Sequence, residues 1–286
     1  MSSQQNITPQ SFNTPYQPTW CPGCGDFGIW TAIKNALAEL QIPPHKVVIV
    51  YGIGCVGNMA STIKCYAFHS LHGRALPVAL GAKIANKDLI VLAVAGDGDQ
   101  YGEGTNHLIH TARYNANINL IVANNKLFSL TTGQASPTSD LGMISKTTPD
   151  GEIKQALEPL ALSLVSGATF VARGVAFEIQ QLTELIKQAI LHPGFSHVDV
   201  LQQCVTFNKT QTVAWYKERI YNLENHDATN LETALNKTLE KEKIPLGVFY
   251  QVQKPVYEEK LDYTPAVKPK DENVMFNKVE LLKEFR

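Results

Sequence analysis

"LIVLAVAGDGD", residues 89–99, is the stretch on which the fold turns. Seven apolar residues, three of them β-branched, stop abruptly at a Gly-Asp-Gly-Asp run. An unbroken apolar run of this length, closed by glycine, reads as a strand buried on both faces. Upstream, "VVIVYGIGC" (47–55) repeats the pattern, and downstream "INLIVANN" (118–125) repeats it again. Helical stretches fall between them, "PVALGAKIAN" (77–86) and a segment near Thr105–Tyr114. Farther on, "TFVARG" (169–174) and "HVDVLQQC" (197–204) read as strands flanking a helix from about Glu178 to His192. An earlier helix runs to about Gln41, with Asp26 as its N-cap and Trp30, Ile33, Leu37 and Leu40 at helical spacing. Apolar strands alternating with helices predict an α/β fold with a doubly wound parallel sheet. Ligands in such sheets bind at the carboxyl ends of strands, where the glycine-rich loops lie.

The chain has 286 residues, 44% of them hydrophobic, and a formal charge of -1. That size supports a substantial core, and the charge argues against a nucleic-acid binder, which gathers basic excess on one face. No apolar run approaches the ~18 residues of a membrane span. The opening "MSSQQNITPQSFNTPYQP" lacks a basic segment followed by an apolar one, so a cytoplasmic location is expected. Residues 1–18 read as an N-terminal arm, 19–214 as the main domain, and 215–286 as a C-terminal extension with one helix near 231–243. The polar loop 134–151 is long enough to suggest a function.

Five cysteines, Cys21, Cys24, Cys55, Cys65 and Cys204, are too few and too scattered for a disulfide framework. Cys21 and Cys24 in "CPGCG" could close half a metal site or act as a redox pair. The histidine pairs His69/His72 and His107/His110 have no evident carboxylate partner for a second metal, and helix packing accounts for the latter pair.

A GDG tripeptide is by itself usually a turn, and NN an ordinary loop dipeptide. Placed at the ends of two parallel strands, with 25 residues between Gly98 and Asn124, they resemble the shared motif of thiamine-diphosphate enzymes. A diphosphate there needs a hard divalent cation, Mg²⁺ by preference, held by oxygen ligands. The resemblance implies Asp97 as a carboxylate ligand, Asn125 as an amide ligand, and the backbone carbonyl of Leu127 as the third. Gly96, Gly98 and Asp99 would line the cofactor.

The chain as a whole is similar to the β subunits of 2-oxoacid:ferredoxin oxidoreductases. The matching segments are "CPGCG", "GIGC", "HGRALPVALGAKIAN", "GDGDQYGEGTNH", "NNKLFSLTTGQASPT" and "DVLQQCVTFN", spanning roughly Thr19 to Asn208 in the family's order. The resemblance implies one [4Fe–4S] cluster on Cys21, Cys24, Cys55 and Cys204, with thiolate ligands throughout. Cys65 matches nothing and reads as a small buried hydrophobe. Ile53, Gly54, Cys55, Val56, His72, Ser129 and Leu130 would lie against the cofactor. The implied reaction is coenzyme A-dependent oxidative decarboxylation of a 2-oxoacid to acyl-CoA and CO₂, with electrons leaving through the cluster to ferredoxin. A pyrimidine-binding domain is not recognisable, so an α subunit is expected as partner. No two-cluster ferredoxin run occurs, which implies a separate ferredoxin. Many relatives carry Lys or Arg where this chain has Asn58, pointing to pyruvate or a similar monocarboxylic substrate over 2-oxoglutarate. The rival readings are a non-redox thiamine-diphosphate decarboxylase subunit and a zinc-binding structural protein.

Overall fold

The computed structural model describes residues 6–261; the outer ends of the arm and of the extension, 1–5 and 262–286, lie outside them. Ten strands form in chain order: β1 (Val47–Tyr51), β2 (Tyr66–His69), β3 (Ile90–Gly96), β4 (Asn119–Asn124), β5 (Leu127–Phe128), β6 (Gln134–Ala135), β7 (Phe170–Val175), β8 (Ser196–Leu201), β9 (Ile220–Asn222) and β10 (Ile244–Gln251). The helices are α1 (Asp26–Glu39), α2 (Ala75–Ala85), α3 (Thr105–Tyr114), α4 (Pro159–Val165), α5 (Ile179–Leu191), α6 (Val213–Lys217) and α7 (Leu231–Thr238).

Eight strands make one sheet in the order β2-β1-β3-β4-β8-β7-β10-β9. All neighbours are parallel except β7 and β10. The expected doubly wound architecture is therefore present, with one antiparallel insertion. Along β3, side chains alternate between the two faces: Leu92 and Val94 join the core under α1 and α5, while Val91 and Ala93 join the core with α2, α3 and α4. Burial on both faces is why β3, and β4 between its terminal asparagines, are apolar without a polar alternation.

Two expectations change. Asp26 is not the N-cap of α1: Gly25 holds that position, and Asp26 is the first helical residue, fully buried. The region after Trp215 contains more than one helix. β9 pairs with β10, and β10 joins the main sheet beside β7, so Leu246, Phe249 and Tyr250 are core residues. Pro245 and Gly247 disguise β10 in the sequence; Gly247 sits at φ +121, and the pairing slips between Val248 and Tyr250.

Helix α1 is pressed against the loop that leaves β7. A Cβ on Gly28 would fall 1.8 Å from the Ala176 carbonyl oxygen, which is backbone and cannot yield locally. Gly81 in α2 faces open space. Gly28→Ala is expected to lower unfolding stability by about 3 kcal/mol, as overpacking of a filled core does. Gly81→Ala is expected to raise it by about 0.5–1 kcal/mol, through lost unfolded-state freedom. Denaturant midpoints of the two variants check both signs.

Candidate active site

The carboxyl ends of β1, β3 and β4 open into a cleft. It is lined by Ile53, Gly54, Cys55, Val56, His72, Gly96, Asp97, Gly98, Asp99, Asn125, Leu127, Ser129 and Leu130, together with Ala123, Phe128, Thr131 and Gln202. Residues from five separate segments of the sequence thus meet in one place. Two glycines shape it. Gly54, at φ +147, would point a Cβ into open space, and a Cβ on Gly98 would strike the Phe128 ring at 2.5 Å.

Asp97 closes β3 and is 1% exposed. Its Oδ2 accepts from the Ser136 hydroxyl at 2.5 Å and lies 2.9 Å from the Thr138 hydroxyl, while Oδ1 accepts from the Asn125 N–H at a long 3.4 Å. Burial pushes this carboxyl up to about 6, against the pull of those three donors. One carboxylate oxygen is therefore engaged by two hydroxyls and the other is only weakly satisfied. Asn125 directs Oδ1 to the Leu127 N–H at 3.1 Å and donates Nδ2 to Ser129 at 3.0 Å.

Asp99, also 1% exposed, is held differently. Its Oδ1 accepts from the Gly73 N–H at 2.8 Å and the Ile53 N–H at 3.1 Å, and lies 3.1 Å from His72 Nδ1. Its Oδ2 is buried with no partner. His72 Nδ1 also meets Glu103 Oε2 at 3.0 Å. The carboxylate partner that the sequence did not reveal is thus a pair of carboxylates.

Ser136 and Thr138 lie in "QASPT", a segment whose sequence pattern gives neither residue a role. The short hairpin of β5 and β6 explains their position, because pairing Leu127 with Ala135 turns the chain back over Asp97. The Thr138 hydroxyl is also 3.0 Å from Asn124 Oδ1, and Asn124 Nδ2 donates to Asp199 Oδ1 at 3.1 Å. Asp199 further accepts from Tyr101 O–H at 2.9 Å and Arg173 Nε at 3.4 Å. A buried polar chain therefore runs from Asp97 behind β4 to the far half of the sheet.

A second cavity, of ≈ 200 Å³, adjoins the cleft and is lined by Cys21, Cys24, Cys55 and Cys204 with Trp20, Asp26 and Asn58. Cys55, Asn125, Ser129 and Leu130 line both spaces, so the two share a wall. The Thr206 hydroxyl donates to Cys21 Sγ at 3.1 Å, Cys24 Sγ donates to Asp26 Oδ2 at 3.5 Å, and Cys55 Sγ lies 3.6 Å from Ser129 Oγ. Burial pushes Cys55 up to about 11 and Cys24 well above the usual thiol range. Both thiols are thus protonated until a metal displaces the proton. Cys65 does not line this cavity; it lies beside Tyr66 and Pro44 in a separate surface hollow. Among the described residues, no three His, Cys, Asp or Glu side chains are grouped as the shell of a single metal ion.

The residues present fit the two groups expected. Hard oxygen donors around a weakly satisfied buried carboxylate suit a divalent cation, and Gly54 leaves the backbone bare for phosphate oxygens. Four thiols around a cavity wider than a one-ion site suit an iron–sulfur cluster.

The family model for the thiamine pyrophosphate enzyme C-terminal TPP-binding domain matches residues 45–200, and that for the C-terminal part of the pyruvate ferredoxin oxidoreductase beta subunit matches 204–265. The 2-oxoacid:ferredoxin oxidoreductase subunit beta of a Sulfolobus species is 42% identical over 277 residues, covering 88% of this chain and 91% of the relative. A 2-oxoglutarate oxidoreductase subunit, KorB, of Mycobacterium tuberculosis is 41% identical over 209 residues, covering 73% and 56%. The solved 2-oxoglutarate:ferredoxin oxidoreductase of Magnetococcus marinus, with 2-oxoglutarate, coenzyme A and succinyl-CoA bound, superposes with a TM-score of 0.88 at 35% identity, over 100% of this chain and 98% of that one. Among the described residues, no helix is long and apolar enough to cross a membrane. With its thiamine-diphosphate-binding domain and the matching C-terminal segment, the chain belongs to the β subunits of the 2-oxoacid:ferredoxin oxidoreductases.

Proposed function

We propose that this β subunit acts with an α subunit to oxidise a monocarboxylic 2-oxoacid, pyruvate or a short homologue. Coenzyme A takes the acyl group and a separate ferredoxin takes the electrons. The observation that carries this reading is the shared wall: Cys55 and Ser129 face both the cofactor cleft and the four-cysteine cavity. A one-electron carrier in the second space would lie against the organic cofactor in the first.

Asp97, Asn125 and the Leu127 carbonyl would hold Mg²⁺, and Cys21, Cys24, Cys55 and Cys204 a [4Fe–4S] cluster. Thiamine diphosphate, when bound, supplies the carbanion and the electron sink that decarboxylation of a 2-oxoacid requires. The protein's part is placement. Ser136 and Thr138 hold one oxygen of Asp97, which leaves the other to the cation. His72 lines the cleft and is tethered through Nδ1 to Asp99 and Glu103. The pyrimidine ring's carboxylate partner would come from the α subunit. Reconstituting the chain with its α subunit should give 2-oxoacid- and coenzyme A-dependent ferredoxin reduction, and absence of that activity would count against the whole assignment.

The substrate preference rests on charge. Among the described residues, no lysine or arginine lines either cavity, and Asn58 stands on the cysteine side. A distal carboxylate from the substrate would be desolvated without a cation from this chain. In the reconstituted complex, kcat/KM should be higher for pyruvate or 2-oxobutyrate than for 2-oxoglutarate. Asn58→Lys should narrow that gap about tenfold, the worth of one charge-assisted pair. If 2-oxoglutarate is already the best substrate of the unaltered complex, this assignment fails.

Loss of Asp97 should separate the two groups. Asp97→Ala is expected to purify with iron and sulfide at wild-type levels but to retain no thiamine diphosphate, because Mg²⁺ tolerates neither the lost charge nor the lost geometry. Cofactor release on acid precipitation measures this directly.

Cys204→Ala should do the converse, with iron and acid-labile sulfide falling and the visible absorbance bleaching. Cys65→Ala should leave both unchanged, since its thiol faces another surface. Zinc in place of iron in the wild-type protein would favour the structural-metal alternative.

A further inference from the structure

A separate cavity of ≈ 420 Å³ opens at the carboxyl ends of β7 and β8 and shares no lining residue with the cofactor cleft. It lies at the ligand-binding edge of the sheet, walled by Arg173, Asp199, Glu158, Tyr216 and Lys241, with Trp215 beside them. Most of its charges are already matched. Asp140 bonds Lys126 Nζ at 2.6 Å and also Gln211 Nε2, and Glu240 bonds Lys237 Nζ at 2.6 Å and Tyr221 O–H at 2.5 Å. Asp199 takes Tyr101, Asn124 and Arg173 Nε.

What is left over is mainly donors. Arg173 is only 7% exposed, yet among the described residues only its Nε finds an acceptor, so Nη1 and Nη2 have none. The Tyr216 hydroxyl is buried and has no partner. Lys241, and Glu158 as the one carboxylate, also stand in the cavity wall without an ion pair among the described residues. The two terminal nitrogens are open to the cavity, where an acceptor would meet them as a pair. The Arg173 Cζ lies 5.5 Å from the Phe249 ring centroid, which packs the group and leaves its two terminal nitrogens as the donors still to be used.

We propose that this cavity is a binding site for a small organic monocarboxylate, gripped by Arg173 Nη1 and Nη2 and seconded by Lys241. A planar fork of paired N–H groups matches the two oxygens of a carboxylate. Asp199 already takes up part of the Arg173 charge and Glu158 opposes both Arg173 and Lys241, so the wall accommodates a monoanion and opposes a phosphate dianion.

The test uses propionate as probe and saturation-transfer difference NMR, on the full chain in the complex in which it purifies, loaded with thiamine diphosphate and Mg²⁺. Propionate should give a saturable signal that acetate displaces and equimolar inorganic phosphate does not. Arg173→Gln should weaken binding by about tenfold or more, the worth of a charged hydrogen-bonded pair. Glu158→Gln removes an opposing charge from a side chain that makes no bond, so it should fold normally and tighten binding about threefold. That second variant keeps the proposal testable if Arg173→Gln fails to fold. A wild-type signal that does not saturate, one unchanged by Glu158→Gln, or displacement by phosphate more readily than by acetate would each overturn the assignment. Propionate held only in the cofactor cleft would show itself as the unchanged signal, because Glu158 does not line that cleft.

Discussion

Everything at this site is organised by one costly object, the carboxylate of Asp97 at the end of an apolar strand with almost no solvent around it. A charge there must be given partners or lose its charge. Burial raises the carboxyl to about 6, and the protein opposes this with two hydroxyls on one oxygen and a single distant N–H on the other. The hairpin of β5 and β6 is the device that delivers those hydroxyls. Behind it, Thr138, Asn124 and Asp199 continue the polar chain into the sheet, so that no member of the chain is satisfied by Asp97 alone.

The same economy of position governs the thiols. Cys55 stands at the end of β1, on a loop whose first turn begins at Gly54, and it faces the cofactor cleft on one side and the other cysteines on the other. Cys21 and Cys24 come from the approach to α1, which Gly28 allows to lie flush against the Ala176 backbone. Cys204 follows β8. Three unrelated segments thus converge because a parallel sheet sends all of its strand ends to one edge. The Asp26 carboxylate, buried among them, belongs to this environment and not to a helix cap.

The far half of the sheet carries a different logic. β10 runs against β7 and brings the start of the C-terminal segment, Ile244, to the same edge as Arg173 and Asp199. The antiparallel insertion therefore builds one wall of the second cavity. Residues after Trp215 are a structural continuation of the domain core through Tyr250.

The sequence by itself determined the mostly parallel character of the sheet, its principal apolar strands, and the glycine-rich loops at its carboxyl edge. Those properties follow from local physics: apolar runs without alternation, glycine where the chain must turn, and helical spacing between. The residues expected around the cofactor and the four thiols were legible only through the resemblance to a known family, not through local patterning. Only the tertiary structure decided the rest. That Ser136 and Thr138 reach Asp97 depends on a two-residue hairpin too short to leave a period. That Asp26 turns inward depends on what α1 packs against, and β10 hid behind Pro245 and Gly247, which interrupt its apolar run yet still pair with β9 and β7. Arg173 reads in the sequence as a lone charge in an apolar strand; its pairing with Asp199, and the donors it leaves free, exist only once β7 and β8 lie side by side. Periodicity records which face of its own element a residue takes, whereas partners tens of residues away are chosen by packing.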